Sequence, residues 1–499
     1  MMKVVLSTPP GKTTELWPPL GLLYIASSTR EKRSDNIRVI DAFCENLAED
    51  ELVSRVVKER PDVFGMNCST HTFLSTISTL EKLNKELPET TLVLGGFHAT
   101  FAADRILKEY PFLDYLVKGE AELSFPKLLD HIEKGTAPSD VDGIWYSMDG
   151  KPVGREPVLN MDLDSLPFPA RELAREVEYG YYHRDIKLTF GKFTTVSSSR
   201  GCPYRCAYCS CAAFSQRKWR PRSPENVVDE LEQLYGDGYE CLVFVDDNLT
   251  HSRPRMERIC DLIKEKRIRM SLYCEGRADN ASPELLKRMK HAGFDVIYFG
   301  VESPQSNILE YYRKTVSAER AQKAISDAKS AGLLVLTSYI VGAPVESRAD
   351  MDKTIEFILK TRPHAVQVNI LDVLIGTEIW DRLEQQGVIR PDDWKTNHRI
   401  YEYSLNKMTK SDLEDVVNQG YSAHINAWKS GKGLVELLHT LYSNKTARRI
   451  VMGNIMNPGV RRRISDARRF VDTGPDEKQP MDACQLVRPG DSGSPGETR

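Results

Sequence analysis

Short apolar runs and amphipathic stretches alternate along the first 140 residues. The apolar runs have strand length and end in small or turn residues: KVVLST, NIRVIDAF, PDVFGMNC, TLVLGGF and DYLVKG. Between them lie stretches with helical spacing of apolar positions, such as GLLYIASSTREK and AEDELVSRVVKER. This α/β alternation predicts a doubly wound, Rossmann-like parallel sheet over residues 1–140, which binds ligands beyond the carboxyl ends of its strands.

A second α/β array follows an interruption. Residues 141–188 are rich in Pro, Gly and Asp, which indicates a hairpin and a linker between domains. Over residues 189–395 the strand-like runs FTTVSSS, CLVFVDD, MSLYCEG, VIYFGVES, VLTSYIVG and AVQVNIL are separated by helical segments. Six successive strand–helix units predict a partial or full parallel (β/α) barrel, with its chemistry at the C-terminal ends of the strands.

The C-terminal hundred residues follow a third pattern. Residues 396–472 favour a helical C-terminal region, which includes a basic helix at 448–469. A basic helix is usually a solvated face, and docking of an acidic protein substrate is the alternative. Residues 473–499 lack an apolar period, so we expect a disordered tail.

Composition excludes several classes of protein. Charged residues make up 28% of the 499 residues and the net charge is −3, so we expect no nucleic-acid partner. No apolar run reaches the eighteen or so residues of a membrane span, and the N-terminus does not resemble a signal peptide. Ten cysteines, four of them crowded together, do not fit a disulfide framework. We therefore expect a soluble cytoplasmic protein whose cysteines bind metal or act in redox chemistry.

Three cysteines in the segment SRGCPYRCAYCSC have the spacing of a metal-binding loop. Cys202, Cys206 and Cys209 form a Cys-x₃-Cys-x₂-Cys pattern. Three thiolates on a [4Fe–4S] cubane leave one iron open for an exogenous ligand. The alternative, a structural zinc site, normally needs a fourth ligand in a second Cys or His pair, and the sequence has none. Cys211 is then a small buried residue or a bystander thiol, because a fourth ligand would close the site.

This loop resembles the radical S-adenosylmethionine (SAM) superfamily, whose signature Cys-x₃-Cys-x-aromatic-Cys is matched with Tyr208 as the aromatic residue. The resemblance implies that the open iron chelates the amino and carboxylate groups of SAM. It also implies reductive cleavage of SAM to a 5′-deoxyadenosyl radical, with an electron donor such as ferredoxin or flavodoxin.

The resemblance further implies contacts to SAM at the strand ends FVDDN, YCEGRAD, FGVES and SYIVGAPVE. The implied partners of these positions are the amino group, the ribose, the carboxylate and the adenine of SAM. With Tyr208, the implied SAM contacts are Asp246, Asp247, Glu275, Arg277, Glu302 and Gly342. For Asp246 and Asp247, capping of the following helix is an equal alternative.

The N-terminal array resembles the cobalamin-binding domain that precedes many radical SAM enzymes, on the segments TLVLGGFHATF and LDYLVKGEAELSF. The resemblance implies that Gly95 and Gly96 let the cobalamin tail approach the backbone, with Ser69 and Thr70 lining the same channel. Glycine permits such an approach, although a sharp turn explains Gly-Gly equally well.

One departure concerns the cobalt ligand. Relatives that ligate cobalt from below use Asp-x-His-x-x-Gly, whereas VIDAFCENLAED has Phe43 in the histidine position and Asn46 in the glycine position. We expect no histidine ligand from this loop. His71 and His98 are the nearest histidines, and for each a loop or capping role is the expectation.

The combined resemblance implies a cobalamin-dependent radical SAM C-methyltransferase that methylates an unactivated carbon of an undetermined small molecule or protein. The alternative is a cobalamin-dependent cyclase or oxidase that acts on a tetrapyrrole, lipid or natural product without methyl transfer. An RNA methylthiotransferase would need three further cluster cysteines in the N-terminal domain. Only Cys44 and Cys68 lie there, which excludes that function.

Overall fold

A computed structural model describes residues 1–11, 16–183, 186–405 and 408–456. The first sheet has seven strands in the order β2-β1-β3-β4-β5-β6-β7, of which β1 to β5 are parallel. Its strands are β1 (Lys3–Ser7), β2 (Asn36–Ile40), β3 (Val63–Asn67), β4 (Thr91–Gly95), β5 (Tyr115–Val117), β6 (Ile144–Met148) and β7 (Lys151–Gly154). The flanking helices are α1 (Leu20–Lys32), α2 (Glu49–Glu59), α3 (Phe73–Glu86), α4 (Phe97–Glu109) and α5 (Ser124–Lys134).

The order of the parallel strands confirms the predicted doubly wound sheet. Val4, Val5 and Leu6 of β1 are all buried, as expected for a central strand covered by helices on both faces. The strand order reverses at β1, and ligands of open α/β sheets bind at such a point, beyond the carboxyl ends of the strands. The antiparallel hairpin β6–β7 extends the edge of this sheet.

The second sheet has six parallel strands that follow one another in chain order. They are β8 (Phe193–Val196), β9 (Cys241–Phe244), β10 (Ser271–Gly276), β11 (Phe294–Glu302), β12 (Leu334–Val341) and β13 (Ala365–Ile370). Among the described residues no strand pairing joins β8 to β13, so the predicted barrel is a partial one. Short antiparallel ribbons pair Ser199–Arg200 with Arg220–Pro221 and Asp372–Val373 with His398–Arg399.

Helices cover the outside of the second sheet and continue beyond it. They are α6 (Ser210–Phe214), α7 (Pro224–Gly236), α8 (Arg253–Glu265), α9 (Pro283–His291), α10 (Ser306–Tyr311), α11 (Ala318–Ser330), α12 (Arg348–Thr361), α13 (Glu378–Gln385), α14 (Lys410–Lys429), α15 (Gly431–Ser443) and α16 (Lys445–Met456). The helical C-terminal region therefore forms, whereas the rest of the predicted basic helix and the tail 473–499 lie outside the described residues. None of the helices in the described part of the chain is long and apolar enough to cross a membrane.

Buried charges and aromatic rings join the two sheets within one compact unit, Met1–Val451. Arg220 forms a two-point contact with Glu120, which follows β5, at 2.5 and 2.8 Å. Nearby, Phe97 of α4 lies 4.4 Å from Phe214 of α6, measured between ring centroids. The carboxyl ends of both sheets consequently face each other across a shared cavity.

Candidate functional site

The cysteine loop is held open by its own backbone and its neighbours. Gly201 has a φ of +82°, and a Cβ there would meet the Lys218 carbonyl and the Ser215 side chain, so the entry to the loop requires glycine. In the middle of the loop, the Ala207 N–H donates to the Tyr312 carbonyl at 2.8 Å, and its own carbonyl accepts from Ile379 at 3.0 Å. The loop is thereby tied to α10 and α13 on the barrel.

The three predicted cluster ligands are half-buried free thiols on this loop. Burial raises the pKa of Cys202 to about 11. Burial also raises the pKa of Cys206, although the positive charges of Lys314 and Arg277 lower it in part. Among the described residues, no group of three or more His, Cys, Asp or Glu side chains is arranged to hold a metal ion. A [4Fe–4S] cubane takes one thiolate on each of three irons, and the three free thiols of this loop are the donor set that such a cluster needs.

Cys211 lies closer to this loop than a bystander needs to be. A hydrogen bond from Cys211 lowers the pKa of Cys209 to about 7, and Cys211 also reaches the carboxylate of Asp247. Cys211 lines the shared cavity as well. Cys211 lies at the start of α6 as a hydrogen-bonding neighbour of Cys209, and its exclusion from the ligand set stays a prediction.

Tyr208 is part of a buried polar triad that crosses from the cysteine loop to β11. Its hydroxyl donates to Glu302 Oε1 at 3.0 Å, and Lys314 Nζ donates to the same oxygen at 2.8 Å and to the Tyr208 hydroxyl at 3.3 Å. Glu302 adopts a left-handed φ of +67°, which strains a residue other than glycine. The triad brings two of the predicted SAM residues together and fixes the aromatic ring of the loop.

Asp246 and Asp247 follow β9 and have different surroundings. Asp246 is buried, and its carboxylate accepts from Ser198 N at 3.0 Å, Ser198 Oγ at 2.7 Å and Ser199 Oγ at 2.5 Å. Asp247 accepts from the Gly201 N–H at 2.9 Å and lines the cavity. Asp246 therefore holds the turn before the cysteine loop, and Asp247 faces the cavity. Neither side chain caps α8.

Arg277 follows β10 and lies against the cysteine loop. Its guanidinium donates to both oxygens of Asp279 at 3.0 and 2.8 Å and lies 3.6 Å from the ring centroid of Tyr204. Glu275, at the end of the same strand, is exposed. Of the predicted SAM residues at these strand ends, Asp247, Arg277 and Glu302 contact the loop.

Gly342 lies at the end of β12 with a φ of +96°. Its N–H donates to Glu346 Oε2 at 2.6 Å, and the Ala343 N–H donates to the same oxygen at 3.2 Å. Burial raises the pKa of Glu346 to about 7. This carboxyl shapes the loop that was predicted to approach adenine.

The shared cavity has a volume of about 480 Å³, within the usual range of ligand sites. Asn67, Gly95 and Gly96 line it from the first sheet, Gly201 lines it from the entry to the cysteine loop, and Cys211 lines it from α6. The buried Oδ1 of Asn67 has no hydrogen-bond partner in the described part of the chain. Space beside glycine and an acceptor without a partner fit a bulky ligand that carries amide donors, as cobalamin does.

The two glycines act differently. Gly96 has a φ of +96°, and a Cβ there would lie 2.5 Å from the Cys68 carbonyl oxygen, so the turn itself requires glycine. A Cβ at Gly95 would make only ordinary contacts with Val117, at 3.7 and 3.8 Å. Ser69 and Thr70 lie in the turn beside the cavity and do not line it; Thr70 Oγ1 is 3.2 Å from His98 Nδ1.

The two histidines lie outside the cavity lining. His71 lies in a turn, as expected, whereas His98 is a buried residue of α4 and not a loop or capping residue. His98 is buried between Phe73 and Trp394, and burial lowers the pKa of its imidazole to about 3. His71 is exposed in the Thr70–Thr72 turn. Asn46, in the glycine position of the Asp-x-His-x-x-Gly pattern, has a φ of +55°, a left-handed conformation that asparagine adopts more readily than most residues.

Sequence reasoning missed the charges that surround the site. Lys314 occurs in YYRKT, which has no distinguishing pattern, and its role depends on Glu302 twelve residues earlier. Arg200 pairs with Glu122 at 2.7 Å, and Arg220 is fully buried against Glu120. The acidic pair in VKGEAE directly after a strand was a signal that could have indicated a contact with another domain.

Comparisons with known proteins agree with this geometry. Residues 196–358 match the Radical SAM superfamily and residues 10–129 match the B12 binding domain. An uncharacterized methyltransferase of Pyrococcus horikoshii is 31% identical over 405 residues, which cover 79% of this chain and 86% of that protein.

Two further proteins show the range of similarity. The anaerobic magnesium-protoporphyrin IX monomethyl ester cyclase of Rubrivivax gelatinosus is 27% identical over 349 residues, covering 68% of this chain and 61% of the cyclase. The radical SAM methyltransferase TsrM of Kitasatospora setae, solved with cobalamin and a [4Fe–4S] cluster, has the same fold. Its TM-score is 0.63 at 16% identity, with 78% of this chain and 79% of TsrM covered.

Proposed function

Because the chain belongs to the radical SAM enzymes that carry a B12-binding domain, we propose that it is a cobalamin-dependent C-methyltransferase acting on an unactivated carbon. The observation that carries the proposal is the single cavity between the two predicted cofactor sites. Gly95 and Gly96 end a strand on one side of it, and Gly201 and Cys211 lie on the other. A radical step and a methyl transfer on one substrate need such a common space.

Three sets of residues would hold the cofactors. Cys202, Cys206 and Cys209 would hold the cluster. The predicted SAM contacts are Tyr208, Asp246, Asp247, Glu275, Arg277, Glu302 and Gly342. The predicted cobalamin contacts that line the cavity are Gly95 and Gly96, to which we add Asn67, while Ser69 and Thr70, also predicted, lie in the turn beside it. When bound, the cluster supplies the electron, SAM is the source of both the radical and the methyl group, and cobalamin carries the methyl group.

The chain contributes position and exclusion of water. Lys314 and Glu302 fix the Tyr208 ring in the cysteine loop, and Asp247 holds the Gly201 N–H at its entry. Apolar side chains such as Phe97 and Phe214 line the cavity. A largely apolar wall protects a reactive intermediate from quenching by solvent.

The test uses reconstituted protein, a reductant and SAM with a deuterated methyl group. A methyltransferase transfers the label to the bound corrinoid and releases S-adenosylhomocysteine, and it also forms 5′-deoxyadenosine by reductive cleavage. Mass spectrometry of the extracted corrinoid and of both nucleosides measures the two reactions separately. Formation of 5′-deoxyadenosine with an unlabelled corrinoid would contradict methyl transfer.

A matched pair of variants assigns the reactions to the two sides of the cavity. Gly95→Leu places a large side chain in the cavity at a position whose backbone accepts it. We expect this variant to lose bound corrinoid and S-adenosylhomocysteine formation while its iron content stays unchanged. The control is Gly236→Leu at the end of α7, where a Cβ meets nothing within 4 Å.

A cobalamin-dependent cyclase or oxidase is the second candidate, because the chain is similar to the Rubrivivax gelatinosus cyclase. In the labelling experiment this candidate predicts 5′-deoxyadenosine without matching S-adenosylhomocysteine. For either reaction we propose a cytoplasmic enzyme that receives electrons from a ferredoxin or flavodoxin and acts on a small molecule or a protein.

A further inference from the structure

Helix α15 presents an apolar face to solvent. Leu434, Val435, Leu438 and Tyr442 are 49%, 67%, 58% and 86% exposed. Their spacing of one, four and eight residues from Leu434 places them on one side of the helix. Apolar side chains of this size rarely remain together on a free surface, which marks an interaction site.

The opposite face of α15 fixes the orientation of the helix. Glu436 forms ion pairs with Lys329 and, at 3.3 Å, with Arg362. Leu441, seven residues after Leu434, lies at the edge of the exposed face and packs against the apolar cluster at the base of the barrel. The ion pairs of Glu436 on the far side and the packing of Leu441 at one edge together hold the exposed face outward.

The surroundings of this face are basic. Lys429, Lys432, Lys445 and Arg448 are exposed on α14, α15 and α16. Glu436, the one acidic residue between positions 425 and 456, is engaged in the ion pairs described above. The described residues 425–456 contain five Lys and Arg against one Glu, in a chain whose net charge is −3.

We propose that α15 docks the protein on an anionic membrane surface, with Leu434, Leu438 and Tyr442 at the acyl boundary and the lysines on lipid phosphates. A helix with a Leu, Val and Tyr face flanked by Lys and Arg has the composition of an interfacial helix. Nucleic acid would use the charge but leave the apolar face in water. An acidic protein or a second copy of the chain is distinguished by the test.

The test measures co-sedimentation of the full chain with vesicles. The protein pellets with phosphatidylcholine vesicles that contain phosphatidylglycerol, and it pellets less with phosphatidylcholine alone and at high salt. Leu434→Ser/Leu438→Ser loses binding by at least about tenfold. The control Val158→Ser/Met161→Ser removes two apolar side chains that are 72% and 60% exposed in the linker and leaves binding unchanged.

Any of three results would overturn the proposal. The first is that the protein fails to pellet with anionic vesicles, and the second is that the Leu434/Leu438 variant pellets as well as wild type. The third is that the chain binds no vesicles and forms a dimer that this variant abolishes. The last result would assign the face to a second copy. Far-ultraviolet circular dichroism and iron content confirm that the variants fold. Because this docking does not depend on methyl transfer, it survives a negative labelling experiment.

Discussion

The strand ends of the two sheets present different chemistry to the same cavity. At the ends of β3 and β4 the first sheet contributes Asn67, Gly95 and Gly96, and after β5 it contributes two acidic residues that are paired with arginines, Glu120 and Glu122. The second sheet contributes Asp247, whose carboxylate is held by the Gly201 N–H. The ends of β3 and β4 therefore offer space to a ligand, whereas the second sheet offers a charge that is already fixed by a protein partner. Substitutions in the two regions should therefore fail in different ways.

The largest expected effect concerns the cysteine loop. Replacing Cys202, Cys206 or Cys209 by Ala removes a ligand of the predicted cluster, so anaerobic reconstitution should fall from about four irons per chain to none. The matched control is Cys211→Ala, which should keep both iron and SAM cleavage. Iron analysis and the absorbance of the cluster measure the result. Loss of iron from the Cys211 variant would show that this thiol is a ligand.

The next effect tests the fixed charges of the second sheet. In Lys314→Met the Glu302 carboxylate stays buried without its counter-charge, which should lower the free energy of unfolding by about 3–5 kcal/mol. Adding Glu302→Gln removes that charge and should recover most of the loss. Denaturant unfolding of the apoprotein measures the free energy of unfolding of wild type, of the Lys314→Met variant and of the double variant. Equal stability of the single and double variants would mean that the pair is not coupled.

The smallest effect tests the glycines of the first sheet. Gly96→Ala forces a left-handed φ on alanine and presses its Cβ on the Cys68 carbonyl, at a cost of about 2–3 kcal/mol. Gly95→Ala meets only ordinary contacts and should cost less than about 1 kcal/mol. Thermal unfolding compares the two. A tolerated Gly96→Ala would contradict the backbone explanation and favour a role in ligand approach alone.

The sequence predicted the elements well because their signals are local. The apolar run KVVLS becomes a buried strand, and three cysteines within eight residues necessarily share one loop. The role of Gly96 was not predictable in the same way, since its contact is with Cys68, 28 residues earlier. The resemblance to the radical SAM superfamily, and not local spacing, indicated that strand-end charges such as Asp246 and Glu302 lie near the site.

What local spacing leaves open is which charges remain available to a ligand. Asp246 is engaged by serines 47 and 48 residues away, and Glu302 by Lys314. Such partners depend on tertiary packing, so the predicted SAM contacts remain predictions whose surroundings are now defined. Lys314 was missed for the same reason.

The contact between Glu120 and Arg220 also bears on the order in which the chain is completed during synthesis. The N-terminal half leaves the ribosome first, yet Glu120 meets its counter-charge only when residue 220 has emerged. The hydrogen bond from the Tyr179 hydroxyl to Asp41 and the β-bridge between Leu16 and Gly180 likewise need residues beyond 178. A chain cut at residue 140 would retain every strand of the parallel array but leave Glu120 unpaired. The first sheet therefore gains its ion pairs to both Arg200 and Arg220 only after the cysteine loop has been made.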